Sequence, residues 1–123
     1  MNIKLARRSA SLCLCAMLVL VTARELSAHA ILVEATPKTG ATVFGPDVPI
    51  RLRFNVRIDG DRSRVTLVSP AGPARQLPLD KQATPDVLTT KASGLMAGKY
   101  KLQWQVLAAD GHISRGELTF TVQ

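Results

Sequence analysis

One decapeptide, PIRLRFNVRI at residues 49–58, restricts the fold of this chain more than any other feature. Ile50, Leu52, Phe54 and Val56 fall on one side of it, and Arg51, Arg53, Asn55 and Arg57 on the other. Strict period-two alternation gives an extended strand one apolar and one wet face, and it makes no coherent face on a helix. GKYKLQWQV repeats the pattern with Tyr100, Leu102, Trp104 and Val106, and GELTFTV repeats it with Leu118, Phe120 and Val122. SRVTLVSP places Val65 and Leu67 together, and AILVEA, ARQLPL and DVLTTKA are weaker segments of the same kind. Turn chemistry separates them: Pro37 to Gly40, Gly45-Pro46, Asp59-Gly60-Asp61, Pro70 to Pro73, Pro85-Asp86 and Ala97-Gly98. No window of comparable length has a helical period. About seven short strands at this spacing predict an all-β fold, a small antiparallel two-sheet sandwich of Ig-like kind.

The chain ahead of these strands has a different character. MNIKLARRSA carries Lys4, Arg7 and Arg8, and is followed by the apolar run SLCLCAMLVLVTA, closed by Arg24 and Glu25. A basic start, a short apolar stretch and small residues describe a secretory signal peptide. The run is shorter than the roughly 20 apolar residues of a spanning helix. Val21-Thr22-Ala23 and Ala28-His29-Ala30 compete as cleavage points with a cut after Ala28. The division adopted is a signal peptide at 1–28 and one domain at 29–123, with no membrane span in the mature chain.

That cut changes the chemistry of what remains. Cys13 and Cys15 leave with the signal peptide, neither preceded by a lipobox, so the mature chain has no disulfide, no thiol and no lipid anchor. Lys4, Arg7, Arg8 and Arg24 leave as well, with Glu25, and the formal charge falls from +7 to +4. The basicity is therefore partly a targeting feature, and an exported domain is not expected to bind nucleic acid. A domain of 95 residues without disulfides must be held by apolar packing.

The two histidines of the chain, His29 and His112, are the residues that offer chemistry. His112 stands in Asp110-Gly111-His112, between two strands. Asp-Gly is a strong turn dipeptide, which explains the first two residues without any function. Asp110 and His112 are also spaced so that both side chains can lie on one side of an extended segment. Two ligands make a poor metal site, and cleavage after Ala28 would supply more. It frees an α-amine on His29, with an ordinary pKa of about 8, that a metal can deprotonate near neutral pH. The amine and Nδ1 of the same residue can close a chelate. With His112 and Asp110 this makes three nitrogens and one oxygen, a tetragonal set that favours Cu(II). After cleavage Met96 is the one methionine left, too few for a thioether-rich Cu(I) site.

With these residues in view, the chain resembles the CopC-type periplasmic copper-binding proteins. HAILVEATPKTGATV is similar to their mature start, with His-Ala and a Pro-x-x-Gly turn at Pro37 to Gly40. VPIRLRFNV resembles their second strand, and GKYKLQWQVLAADGHISRGELTFTV their C-terminal Gly-x-Tyr, Trp and Asp-Gly-His signature. The resemblance covers nearly all of the mature chain. It implies a seven-stranded cupredoxin- or Ig-like fold, a periplasmic location and one Cu(II) per chain on His29, Asp110 and His112. It further implies a part in copper resistance or uptake, often beside a CopD-type inner-membrane partner. Two departures stand out. Val56 occupies the place where some members carry an acidic residue near the copper, and the Met-rich segment of members with a second site is missing.

Other readings bear on particular residues. The row Arg51, Arg53 and Arg57, with Arg62 and Arg64, could dock an acidic partner, but such rows are more commonly the wet face of a sheet. Trp104 could shield a metal or serve as a core aromatic. No hydrolytic triad or phosphate loop is present, and the expectation is a protein that is not an enzyme. The alternatives are a copper oxidant of the N-terminal-His monooxygenase type and a metal-free adhesion or assembly domain. Five aromatic residues in all give the first of these little surface on which to stack a glycan.

Overall fold

Eight strands and no helix make up the domain in a computed structural model that describes residues 29–123. The signal-peptide reading of 1–28, with Cys13 and Cys15, lies outside the described residues. The strands are β1 (Leu32–Thr36), β2 (Thr42–Val43), β3 (Val48–Phe54), β4 (Ile58–Val68), β5 (Arg75–Leu77), β6 (Val87–Ala92), β7 (Gly98–Ala108) and β8 (Ile113–Val122). One sheet has the order β1-β3-β6 and the other β2-β8-β7-β4-β5. Every pairing is antiparallel except that of β2 with β8, which is parallel.

The alternation read from the sequence sets the inward faces. Ile50, Leu52 and Phe54 of β3 and Leu88 of β6 are buried against Val65 and Leu67 of β4, Leu102 and Val106 of β7, and Phe120 of β8. Burying each such side chain stabilises the fold by roughly 1.5–3 kcal/mol, which is what a domain without disulfides requires. Tyr100 stacks on Phe120 with centroids 5.7 Å apart, and Phe54 meets Trp104 edge to face at 6.4 Å. The sandwich expectation therefore holds, with the two-residue β2 as an added strand.

Two local departures matter for the site. The alternating decapeptide is not one strand. β3 ends at Phe54, and Asn55 turns back toward Ile31, donating its N–H to the Ile31 carbonyl at 3.0 Å. Ile58 then opens β4 in the other sheet. Val56 is half-buried against the core, a place for an apolar side chain rather than a ligand. The predicted turn at Asp59-Gly60-Asp61 is instead a bulge inside β4, where the register with β7 shifts between Asp59 and Arg64. Ser63 closes it: its hydroxyl donates to the Asp59 carbonyl at 2.6 Å and accepts from Leu107 N–H at 3.0 Å. A side chain thus replaces the ladder partners that the extra residues disrupt.

Candidate metal centre

Asp110 and His112 stand at the tip of the β7–β8 hairpin. Gly111 N–H donates to the Ala108 carbonyl at 2.9 Å, and Ala108 N–H donates to the His112 carbonyl at 2.8 Å. This closes a three-residue loop with Gly111 in the left-handed region at φ +91°, the conformation that such loops reserve for glycine. Ala109 N–H donates to the Arg57 carbonyl at 3.0 Å, which ties the tip to the link between β3 and β4.

Within the loop both carboxylate oxygens of Asp110 face His112. Oδ1 accepts from the His112 backbone N–H at 3.1 Å, and Oδ2 lies 3.2 Å from Nδ1 of the ring. The backbone N–H is the main reason the Asp110 carboxyl is held below the usual range; the ring's hydrogen bond and charge add to this, against a desolvation cost. Without an ion this contact fixes the ring's orientation, and an oxygen and a nitrogen at this spacing can also flank one ion as neighbouring donors.

His29 reaches this tip from the far end of the described chain. Three hydrogen bonds hold the segment that carries it. Ala30 N–H donates to Ser114 Oγ at 3.1 Å, Ile31 N–H donates to Asn55 Oδ1 at 2.8 Å, and the Asn55 N–H bond to Ile31 completes the set. Ala30 is buried beneath the segment, while His29, Asp110 and His112 are all exposed. The His29 and His112 rings meet edge-on, 65° apart in plane, with centroids 6.1 Å apart. Two imidazoles sharing an ion at ordinary nitrogen–metal distances have centroids up to roughly 6 Å apart, so this pair lies at the outer edge of that range.

Among the described residues no three His, Cys, Asp or Glu side chains are gathered closely enough to form a metal cluster on their own. The arrangement is one bonded pair, Asp110 with His112, and one ring facing it. While His29 is linked to Ala28 its nitrogen is an amide; cleavage would turn it into an amine donor that no side-chain grouping includes. Nothing in the sequence marks out Ser114 and Asn55, which place His29. Each reads there as an ordinary polar position, and their partners are backbone N–H groups remote along the chain. Trp104 is half-buried on Phe54, and its indole crosses the backbone of Gly116, where any side chain would collide with it. That makes it a core aromatic.

Comparison with known proteins agrees with this fold. The chain matches the CopC domain over residues 32–123, a span that includes Asp110 and His112 and begins just after His29. It is 32% identical over 104 residues to copper resistance protein C of Pseudomonas syringae pv. tomato, covering 78% of this chain and 82% of that protein. The crystal structure of CopC from Methylosinus trichosporium OB3b superposes with a TM-score of 0.71 and 31% identity, over 77% of this chain and 94% of that one. PcoC, described as a methionine rich copper resistance protein from Escherichia coli, superposes with a TM-score of 0.64 over 78% of this chain and all of that one. At 24% identity, PcoC bears on the fold alone.

Proposed function

The chain belongs to the CopC family, and from that premise we propose that it is a periplasmic protein that carries one Cu(II) as cargo. The donors are the amine and ring of His29, exposed when the signal peptide is cut after Ala28, with His112 and Asp110. The observation that carries this reading is the meeting of the His29 and His112 rings at 6.1 Å beside the Asp110 carboxylate. Nitrogen donors in a chelate, one oxygen and no sulfur suit Cu(II). The pairing of Asp110 with His112 presets that ring, and the anchors on Ala30 and Ile31 preset the chelate.

An exposed site suits an ion that must be taken up and given away. The protein buffers copper or passes it on, with a CopD-type inner-membrane protein as the receiving class, and performs no turnover of its own. No helix among the described residues is long and apolar enough to cross a membrane.

The test is a Cu(II) titration of the natively processed protein, followed by EPR, with the start at His29 confirmed by mass. One tetragonal site with nitrogen hyperfine structure, filled at one copper per chain, supports the assignment. Binding no tighter than that of a generic surface histidine rejects it. Steady reductant-driven peroxide production or glycan cleavage by the copper form would replace the carrier with an oxidant.

A further inference from the structure

The outer face of the five-stranded sheet carries a second constellation, separate from the metal centre. Arg64 of β4, Gln105 of β7 and Arg115 of β8 are direct register partners and form one row across three strands. Both arginines converge on a single atom: Arg64 Nη2 and Arg115 Nε each donate to Gln105 Oε1 at 3.0 Å. That oxygen is neutral, so it satisfies two N–H groups and cancels neither charge. Neither guanidinium is in an ion pair among the described residues. The contrast with Arg51 and Arg53 is direct, since both of those reach Glu34, at 2.9 and 3.3 Å.

The next row is Thr66, Gln103 and Glu117. Glu117 is the one carboxylate lining the depression between the rows. It is already held by Lys101 Nζ at 3.7 Å and Gln103 Nε2 at 3.3 Å. Two uncompensated guanidinium forks, lysine-balanced acid beside them, and neutral hydrogen-bonding groups between make a concave surface suited to carboxylates. None of the large exposed hydrophobics, Ile31, Val33, Phe44, Met96 and Ile113, lines this depression. A lipid-binding face would need such residues beside its charges.

We propose that Arg64 and Arg115 form a docking site for a carboxylate-rich segment of a partner protein, with Gln105 Oε1 holding the two guanidinium groups together until a carboxylate replaces it. Arg115 is the third residue of β8, three residues beyond His112 at the hairpin tip and about 10 Å along the chain at the rise of a strand. A docked acidic segment would lie on the outer sheet face within reach of the hairpin tip, close to where a protein receiving copper would approach. This role in transfer rests on the copper reading above; the docking itself does not.

The experiment uses the natively processed, metal-free protein, labelled with ¹⁵N and titrated with an oligoglutamate peptide at low and moderate salt. Shifts confined to the amides of Arg64, Thr66, Gln105 and Arg115, with affinity falling as salt rises, are expected. The paired change Arg64→Gln and Arg115→Gln should weaken binding at least about tenfold, because two charge-assisted contacts go together. The charge-matched control Lys38→Gln with Lys91→Gln should change it less than about twofold, if charge position rather than total charge decides. Equal weakening by the control, shifts spread over all the basic residues, or binding to anionic vesicles in place of the peptide would overturn the proposal. Copper titration of the same arginine variant keeps the two readings apart. Unchanged copper affinity is expected, and a parallel loss would reassign the arginines to the metal centre. Peptide binding by a wild-type chain that takes up no copper would leave the docking site standing and remove the carrier reading.

Discussion

The His29 ring stands edge-on to the His112 ring at 6.1 Å, although the two residues lie at opposite ends of the described chain. Backbone hydrogen bonds close the hairpin tip, and the Ser114 and Asn55 side chains hold the Ala30 and Ile31 N–H groups, so the two rings are brought together by the segments that carry them. His112→Ala and a chain acetylated at His29 each remove one arm of the proposed chelate. Each should lower Cu(II) affinity by more than about 100-fold, beyond the usual cost of losing a supporting contact. Competition with a chelator of known affinity measures it. Tight binding that survives both changes places the copper elsewhere.

The anchors should matter by less, and in a separable way. Ser114→Ala removes the acceptor of Ala30 N–H, and Asn55→Ala removes that of Ile31 N–H. A net hydrogen bond contributes about 0.5–1.5 kcal/mol, so each change should weaken copper binding by about 2- to 13-fold. The EPR parameters should stay those of the wild type, because the donors are unchanged. Faster amide exchange at Ala30 and Ile31, measured without copper, would tie the lost affinity to a loosened segment. An altered EPR spectrum would mean that Ser114 or Asn55 touches the ion itself.

The contrast between donors and anchors shows what the sequence could reveal. Alternation exposed β3, β7 and β8, because each has one dry and one wet face and the code for that is local. Thr42 and Val43 carry no period; they become β2 only by lying alongside Thr121 and Val122. The break after Phe54 was hidden for a related reason. Alternation continues through Arg57, but the N–H groups of Phe54 and Ile58 find the Asp86 and Pro85 carbonyls, and Asn55 finds Ile31. His29, Asp110 and His112 stand out as candidate donors because few residue types bind metals. Ser114, Asn55 and the Arg64–Gln105–Arg115 row do not stand out, since each acquires its role from strand register or from a partner far along the chain.

Acid should release the copper through its nitrogen donors. An α-amine with an ordinary pKa of about 8 binds a metal only after losing its proton, so copper competes less well at each step below neutrality. Asp110 behaves in the opposite sense. Its folded carboxyl is held below the usual range, chiefly by His112 N–H, so it stays ionised after the amine has taken its proton. What that contact adds to the loop is present above the unfolded carboxylate pKa and is lost as pH falls through the lower, folded value. Apparent affinity measured from about pH 5 to 8 should therefore rise with pH. A flat profile would exclude the amine as a donor.

Gly116 provides a test of the packing beneath the site. Its register partner is Trp104, and a Cβ at this glycine would fall 2.6 Å from Cε2 and 2.9 Å from Nε1 of the indole. Backbone strain is not involved, because Gly116 does not have a positive φ. Gly116→Ala must therefore push the indole off β8 or push β8 away from β7, and overpacking of this kind costs about 1–3 kcal/mol. For a domain of this size the melting temperature should fall by about 4–8 °C per kcal/mol. Trp104 is the only tryptophan, so its emission reports the displacement directly and should shift before any unfolding. Gly111→Ala makes the comparison: nothing lies within 4 Å of its added Cβ, but φ is +91°, so its cost should come from the turn and leave Trp104 emission unchanged. If Gly116→Ala instead melts like the wild type with unshifted emission, the added methyl is accommodated without displacing the indole, and Trp104 does not pack on Gly116 as closely as the structure places it.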